Sequence, residues 1–248
     1  MDAVNSSDSK YTPRPMSNRT TYALGAVALV VVAVIVVLVV RWNSDHGLTV
    51  QEDGYGAAHD PAVQALLDSD GAIVLGKTAA AKTIDMFEDP MCPSCGALEH
   101  YYGQQIAKAI DQGKLAVRYR FVNFLDPKSS SKDYSTRAVA ASECVADAGD
   151  GPVFSKFHMA LFTTKQPSED GGNLTNEQLA AIAKDSGASA EVQSCIAKGD
   201  RVDSARNHAQ SSLAALKDAV GQVQTPTVLD GGKNVDVENS DWVTKLVS

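Results

Sequence analysis

The chain contains 248 residues, of which 44% are hydrophobic and 21% are charged. A chain of this length and composition is expected to form one or two folded domains, which excludes the disordered and fibrous classes. Its 22 basic and 30 acidic side chains give a net charge of −8. This balance argues against nucleic acid as a partner, because phosphate binding requires a surplus of Lys and Arg.

One segment near the N-terminus predicts a membrane anchor. The residues from Thr21 to Val40 carry no charge, and a helix of that length, about 30 Å, crosses the hydrocarbon core of a bilayer. The alternative is a cleaved signal peptide, but the segment is long for one and ends without a small-residue cleavage site. We therefore predict one transmembrane helix over residues 21–41, in contact with membrane lipid.

The flanking charges predict the orientation of this anchor. Lys10, Arg14 and Arg19 precede it, whereas only Arg41 follows closely. Because basic flanks remain on the cytoplasmic side, residues 1–20 are predicted to be a cytoplasmic tail, and the rest of a single-pass cell-membrane protein to be extracytoplasmic. All four cysteines follow the anchor, on the side where disulfides persist.

The extracytoplasmic part divides into a linker and an α/β domain. Residues 42–70 are polar and rich in glycine, which predicts a linker, with a short helix as an option for Pro61–Leu67. The domain is predicted to cover residues 71–248, with a helical insertion at about 130–221. Apolar and alternating runs predict strands at Ala72–Leu75, Lys82–Glu88, Leu115–Leu125, Thr227–Leu229 and Val235–Val237.

The most informative motif is Cys92-Pro93-Ser94-Cys95, which lies between a predicted strand and a predicted helix. A cysteine at a helix N-terminus meets unpaired amide groups and the positive end of the helix dipole, so its thiolate is stabilised. Cys92 is therefore the expected attacking and leaving sulfur, and Cys95, one turn inside the helix, the resolving sulfur. Pro93 suits the first helical turn, where its missing N–H costs nothing.

Zinc binding and a plain structural disulfide are the alternatives for this motif. A zinc site would need a second CxxC or CxxH, but Cys144 and Cys195 are far apart and the five histidines show no metal-ligand spacing. A redox pair in a strand–helix–strand context is the favoured interpretation. No metal site and no cofactor are predicted.

The run from Gly76 to Cys95, the helical insertion and Thr225-Pro226-Thr227 before the returning strand resemble the DsbA-like thiol–disulfide oxidoreductases of the thioredoxin superfamily, in their membrane-anchored bacterial type. The resemblance implies a thioredoxin fold with an inserted helical subdomain. It also implies that Pro226 is a cis-proline that binds the extended substrate backbone, with Thr225 facing the thiols. From the residues alone, a Thr-Pro pair at this point is also compatible with a simple strand-entry turn.

This chain departs from the superfamily pattern at the buried acid six residues before the first cysteine, a position held here by Met86. Glu88 or Asp89 is the possible substitute, although a solvated residue at a strand end is the commoner situation. With Cys92 and Cys95 as the redox pair, a structural disulfide between Cys144 and Cys195 is expected, similar to the extra disulfide of some family members. A second redox relay or two free thiols are the alternatives.

The predicted function is donation of the Cys92–Cys95 disulfide to reduced exported proteins during oxidative folding, by a monomer. The resemblance implies reoxidation by a membrane-embedded, quinone-linked oxidase of the DsbB or vitamin-K-epoxide-reductase (VKOR) type. A reductase or isomerase of the same fold is one alternative. A membrane-tethered, noncatalytic binding module with a structural CxxC is another.

Overall fold

The computed structural model describes residues 54–169 and 171–248. The predicted cytoplasmic tail, the predicted transmembrane helix and the first part of the predicted linker lie outside these residues. Within the two described ranges, no helix combines the length and the apolar character that a membrane crossing requires.

A six-stranded mixed sheet forms the centre of the described domain, with the strand order β1-β2-β4-β3-β5-β6. Only the central pair, β3 and β4, runs parallel, and the other neighbouring strands pair antiparallel. Because β3 has neighbours on both sides, its carboxyl end lies in the interior of the molecule. The strands are β1 (Gln64–Leu67), β2 (Ile73–Gly76), β3 (Lys82–Glu88), β4 (Leu115–Phe121), β5 (Thr227–Asp230) and β6 (Lys233–Asn234).

Helices cover the sheet and fill the connection between β4 and β5. They are α1 (Pro93–Asp111), α2 (Tyr134–Ala146), α3 (Gly151–Met159), α4 (Asn176–Ser186), α5 (Ala190–Lys198), α6 (Val202–Val220) and α7 (Trp242–Leu246), with a 3₁₀ turn at Asp126–Lys128 and a π-helical turn at Ala160–Thr164. The α/β class predicted from the sequence is therefore confirmed. Helices α2–α6 occupy the segment in which the insertion was predicted.

The short helix considered for Pro61–Leu67 is wrong, because this segment contains strand β1. Ala65 of β1 is fully buried and pairs with Leu75 of β2, so backbone pairing and one buried face determine its conformation. The preceding residues also pack on the domain: Ala58 is fully buried, and its amide donates to Ser155 Oγ at 2.9 Å. The part of the predicted linker that the structure describes thus contributes to the core.

The predicted strand–helix–strand unit consists of β3, α1 and β4. Helix α1 buries Leu98, Tyr102 and Ile106 at spacings of four, which is the apolar stripe expected of a helix on a sheet. It ends before Gly113, whose φ of +68° is the left-handed conformation that glycine adopts at a helix end. This unit places the CxxC motif where β3 meets α1.

A disulfide ties two helices of the inserted segment together. It joins Cys144 of α2 to Cys195 of α5 with a Cα–Cα distance of 6.1 Å, which is the pairing expected from the sequence. Helix α2 is buried along almost its whole length, so the bridge fastens the outer helix α5 to the central helix of the insertion.

Removing this bridge with the double substitution Cys144→Ala and Cys195→Ala is expected to lower the free energy of unfolding. The two cysteines are 51 residues apart, and closing a loop of that size is worth about 4 kcal/mol in the chain-entropy description. Guanidinium denaturation of both proteins measures the difference. Dithiol exchange by the folded variant should be unchanged, and an unaltered unfolding free energy would contradict the structural role.

Candidate active site

Cys92 and Cys95 lie at the junction between β3 and α1. Cys92 is the residue that precedes the first turn of α1, and Pro93 is the first helical residue. Both cysteines are present as thiols, and 7% of Cys92 but none of Cys95 is exposed to solvent. An incoming sulfur can therefore reach Cys92 before Cys95. Pro93 and Ser94 are exposed beside them.

The loop before β5 brings Thr225 and Pro226 to this junction. The Thr225–Pro226 peptide bond is cis, and the Cys92 thiol donates to the Thr225 carbonyl oxygen at 3.5 Å. This contact joins residues 133 positions apart in the sequence. The structure thus places the Thr-Pro pair beside the first cysteine, where the sequence analysis expected it.

The surroundings of Cys92 favour its thiolate. A hydrogen bond from the Cys95 thiol is the largest influence, and the Thr225 side chain and the amides of Cys95 and Ser94 act in the same direction. Burial opposes them, yet the pKa of Cys92 is lowered to about 6. A thiol with this pKa is mostly ionised at neutral pH.

Cys95 has the opposite protonation behaviour. Burial raises the pKa of its thiol well above the ordinary value, and the hydrogen bond to Cys92 and the negative charge of Glu88 add to the effect. Cys95 therefore keeps its proton while Cys92 loses one. The pair is divided into an ionised outer sulfur and a protonated inner sulfur.

Glu88 and Asp89 are not solvated residues at the end of a strand, because both are fully buried. Asp89 accepts hydrogen bonds from the amides of Met91 and Leu125, both at 3.0 Å, and from Ser135 Oγ at 2.6 Å. Burial nevertheless raises the pKa of Asp89 to about 7. Asp89 thus connects the turn before Cys92 to the loop after β4 and to helix α2.

Gln166 is a residue of the site that the sequence analysis did not identify. It follows the π-helical turn, and its Nε2 donates to the carbonyls of Pro90 at 3.2 Å and Cys92 at 2.9 Å. Gly96 makes room for it, because a Cβ there would overlap Gln166 Oε1 and approach the Phe162 carbonyl to 2.8 Å. The only sequence signal for this contact is the glycine directly after Cys95.

Glu99 and His158 lie behind the cysteines and were also not identified from the sequence. His158 Nε2 is 3.3 Å from Glu99 Oε1 and 3.5 Å from Glu88 Oε2. Glu99 offered a signal, because it lies four residues after Cys95 and thus on the buried face of α1. These three side chains are the group of metal-ligand types found among the described residues.

Comparisons with known proteins agree with this geometry. A family model described as Thioredoxin matches residues 68–247. The chain is 31% identical to the structure of MdbA, a thiol–disulfide oxidoreductase from Corynebacterium diphtheriae, covering 76% of this chain and 95% of that one with a TM-score of 0.67. Reduced DsbA from Mycobacterium tuberculosis is 30% identical over 66% of this chain and 84% of its own, with a TM-score of 0.56.

One curated relative is a much longer protein, of which this chain matches only a part. The chain is 38% identical over 188 residues to the serine/threonine-protein kinase PknE of Mycobacterium tuberculosis, which covers 75% of this chain. It spans only 33% of the kinase's length. Since the family model matches most of the chain, the protein belongs to the Thioredoxin family. Its described domain has the thioredoxin fold that the resemblance implied, with a mixed sheet and helices.

Proposed function

We propose that this protein is an extracytoplasmic thiol–disulfide oxidoreductase that donates the Cys92–Cys95 disulfide to reduced cysteines of exported proteins. The observation that carries the proposal is the opposite acidity of the two thiols: the pKa of Cys92 is lowered to about 6, and that of Cys95 is raised. A stabilised thiolate favours the reduced form of the enzyme, which makes its disulfide a stronger oxidant. Dithiol–disulfide exchange is also the chemistry named for MdbA.

Exchange proceeds in two displacements at sulfur. A substrate thiolate attacks Cys92 Sγ of the oxidised enzyme, a mixed disulfide forms, and Cys95 leaves and takes up a proton. The second substrate thiolate then attacks the substrate sulfur of the mixed disulfide and expels Cys92 as a thiolate. Two electrons pass to the enzyme, one proton stays on Cys95, and the substrate leaves with a disulfide.

The surface beside the cis-proline supports a polypeptide substrate. A cleft of about 160 Å³ lies next to the cis-proline and is lined by Gln224, Pro226 and Thr227, among others. Two large apolar side chains are exposed in neighbouring segments: Val223, at 44%, precedes this cleft, and Phe124, at 36%, adjoins the loop that binds Asp89. Thr225 and Pro226 are proposed to bind the substrate backbone, and the apolar side chains to contact an unfolded chain.

The location and partners belong to the same proposal. Residues 21–41 would anchor the protein in the cell membrane with the N-terminus in the cytoplasm, as their composition and flanking charges favour. A membrane-embedded, quinone-linked oxidase of the DsbB or VKOR type would reoxidise the dithiol. The resemblance to the DsbA-like oxidoreductases implies this partner.

A second candidate is a thioredoxin-fold binding module, which the 38% identity to part of the kinase PknE favours. Cys92→Ser distinguishes the two functions. For an oxidoreductase, this substitution removes the attacked sulfur and should abolish oxidation of a reduced, unfolded model protein, whereas Ser94→Ala should preserve it. Exchange that survives in Cys92→Ser would contradict the mechanism, and an inactive unsubstituted protein would favour the binding module.

The equilibrium redox potential tests the direction of electron flow. We expect the full-length protein, titrated against glutathione, to have a potential nearer to about −120 mV, the value of DsbA, than to about −270 mV, the value of thioredoxin. The physical reason is the stabilised Cys92 thiolate of the reduced form. A potential in the thioredoxin range would indicate a reductase and overturn the proposed direction.

The pH dependence of Cys92 alkylation tests the cause of its acidity. Because the pKa is lowered to about 6, the rate should rise as the pH increases through 6, well below the ordinary thiol value of about 8.5. Cys95→Ala removes the main hydrogen-bond donor and should move this midpoint upward. Cys95→Ser keeps a donor and should move it less, so equal midpoints in the two variants would contradict the assigned cause.

A further inference from the structure

A buried cluster of three side chains lies behind the cysteines, and none of its atoms takes part in the sulfur displacements. Glu88 ends β3, Glu99 lies in α1 and His158 lies in α3. Their exposed fractions are 0%, 5% and 3%. We call these three residues the carboxylate–imidazole cluster.

Five of the six side-chain polar atoms of this cluster lack hydrogen-bond partners. Both carboxylate oxygens of Glu88, Oε1 of Glu99 and both ring nitrogens of His158 are buried without one among the described residues. Groups of this kind are strongly disfavoured inside a protein unless they are hydrogen-bonded or coordinate a metal ion. The cluster therefore has the properties of a binding site for a small cation.

The two distances from His158 to the carboxylates fit a coordinated ion better than direct hydrogen bonds. His158 Nε2 lies 3.3 Å from Glu99 Oε1 and 3.5 Å from Glu88 Oε2, whereas hydrogen bonds between charged groups are usually about 2.7–2.9 Å long. Ligand atoms about 2.0–2.1 Å from a tetrahedral zinc ion are roughly 3.3–3.4 Å apart. One atom from each of the three residues lies within 4.8 Å of the other two.

The charges and the walls of the cluster agree with a divalent ion. A divalent cation bound by both carboxylates in their ionised form would neutralise their two negative charges, and the imidazole would bind it as a neutral ligand. Aromatic rings enclose the imidazole, with centroid distances of 4.3 Å to Tyr119 and 4.6 Å to Phe162. A low-dielectric wall of this kind strengthens the attraction between an ion and its ligands.

We propose that Glu88, Glu99 and His158 bind one divalent transition-metal ion directly behind the redox-active cysteines. Two carboxylates and one imidazole are ligand types that suit Zn²⁺, which is therefore the probe. No metal site was expected from the sequence, because the three residues come from three separate elements and form no ligand spacing. The sheet and the two helices bring them together.

Zinc binding by the full-length protein tests the proposal. The protein is produced without a histidine tag and carries Cys92→Ser and Cys95→Ser, so that these thiols cannot bind zinc; Cys144 and Cys195 are already joined. Equilibrium dialysis with metal analysis should find one Zn²⁺ per chain. Glu99→Gln, which preserves the side-chain shape, and His158→Ala should each weaken binding roughly tenfold or more.

The matched control is His208→Ala. His208 Nδ1 lies 2.8 Å from Oε1 of the buried Glu143, so it forms a comparable pair outside the cluster, and its removal should leave the zinc stoichiometry unchanged. Circular dichroism checks that each variant is folded, and Glu99→Gln alone decides the test if His158→Ala is unfolded. Absence of bound zinc would overturn the proposal, and so would folded cluster variants that bind zinc as tightly as the protein with the intact cluster. The three side chains would then be held together by shared protons instead of a metal ion.

Discussion

The first amide groups of helix α1 have no carbonyl partners within the helix, and the chemistry of the site depends on which residue lies there. Most helices place a Ser, Thr, Asp or Asn oxygen at this position. Here Cys92 occupies it and forms no side-chain cap hydrogen bond. The stabilisation that a helix terminus normally gives to a capping oxygen is therefore available to the Cys92 thiolate. Cys95, one turn later, is buried, which raises its pKa, so the two sulfurs differ in acidity.

Such a site requires a rigid loop, because small shifts of the sulfur would remove these contacts. Hydrogen bonds to three residues hold the turn before α1. Asp89 accepts from the Met91 amide in this turn and links the turn to Leu125 and Ser135. Gln166, from the inserted helical segment, donates to the Pro90 and Cys92 carbonyls. The Thr225 carbonyl, in the loop before β5, accepts from the Cys92 thiol. Losing a partner in such a buried network typically costs about 1–3 kcal/mol. The insertion thus contributes directly to the geometry of the cysteines.

Local patterns in the sequence were sufficient for most elements and for the reactive pair. The strand predicted at Val235–Val237 is wrong, because the last strand of the sheet is Lys233–Asn234. The alternation of Lys82–Glu88 and the helical spacing after Cys95 gave β3 and α1, and the CxxC motif at their junction gave the chemistry. Strand β1 was missed because its four residues show too short a pattern without their partner strand. Glu88 and Asp89 were judged by their position at a strand end, whereas their burial depends on the central place of β3 in the sheet. Gln166 and His158 reach the site only through tertiary packing. Gly96 is the one local signal for Gln166, and His158 has none.

The acidity of Cys92 also bears on the direction of exchange. A thiol with a low pKa is a good leaving group but a weaker nucleophile, and the most effective attacking thiol has a pKa near the ambient pH. A disulfide donor needs its first cysteine to be attacked and then to leave, whereas a reductase needs it to attack. With a pKa of about 6, Cys92 is ionised at neutral pH and leaves readily in the second displacement. Together with a resolving sulfur that keeps its proton, this arrangement favours the transfer of a disulfide out of the enzyme over its capture from a substrate.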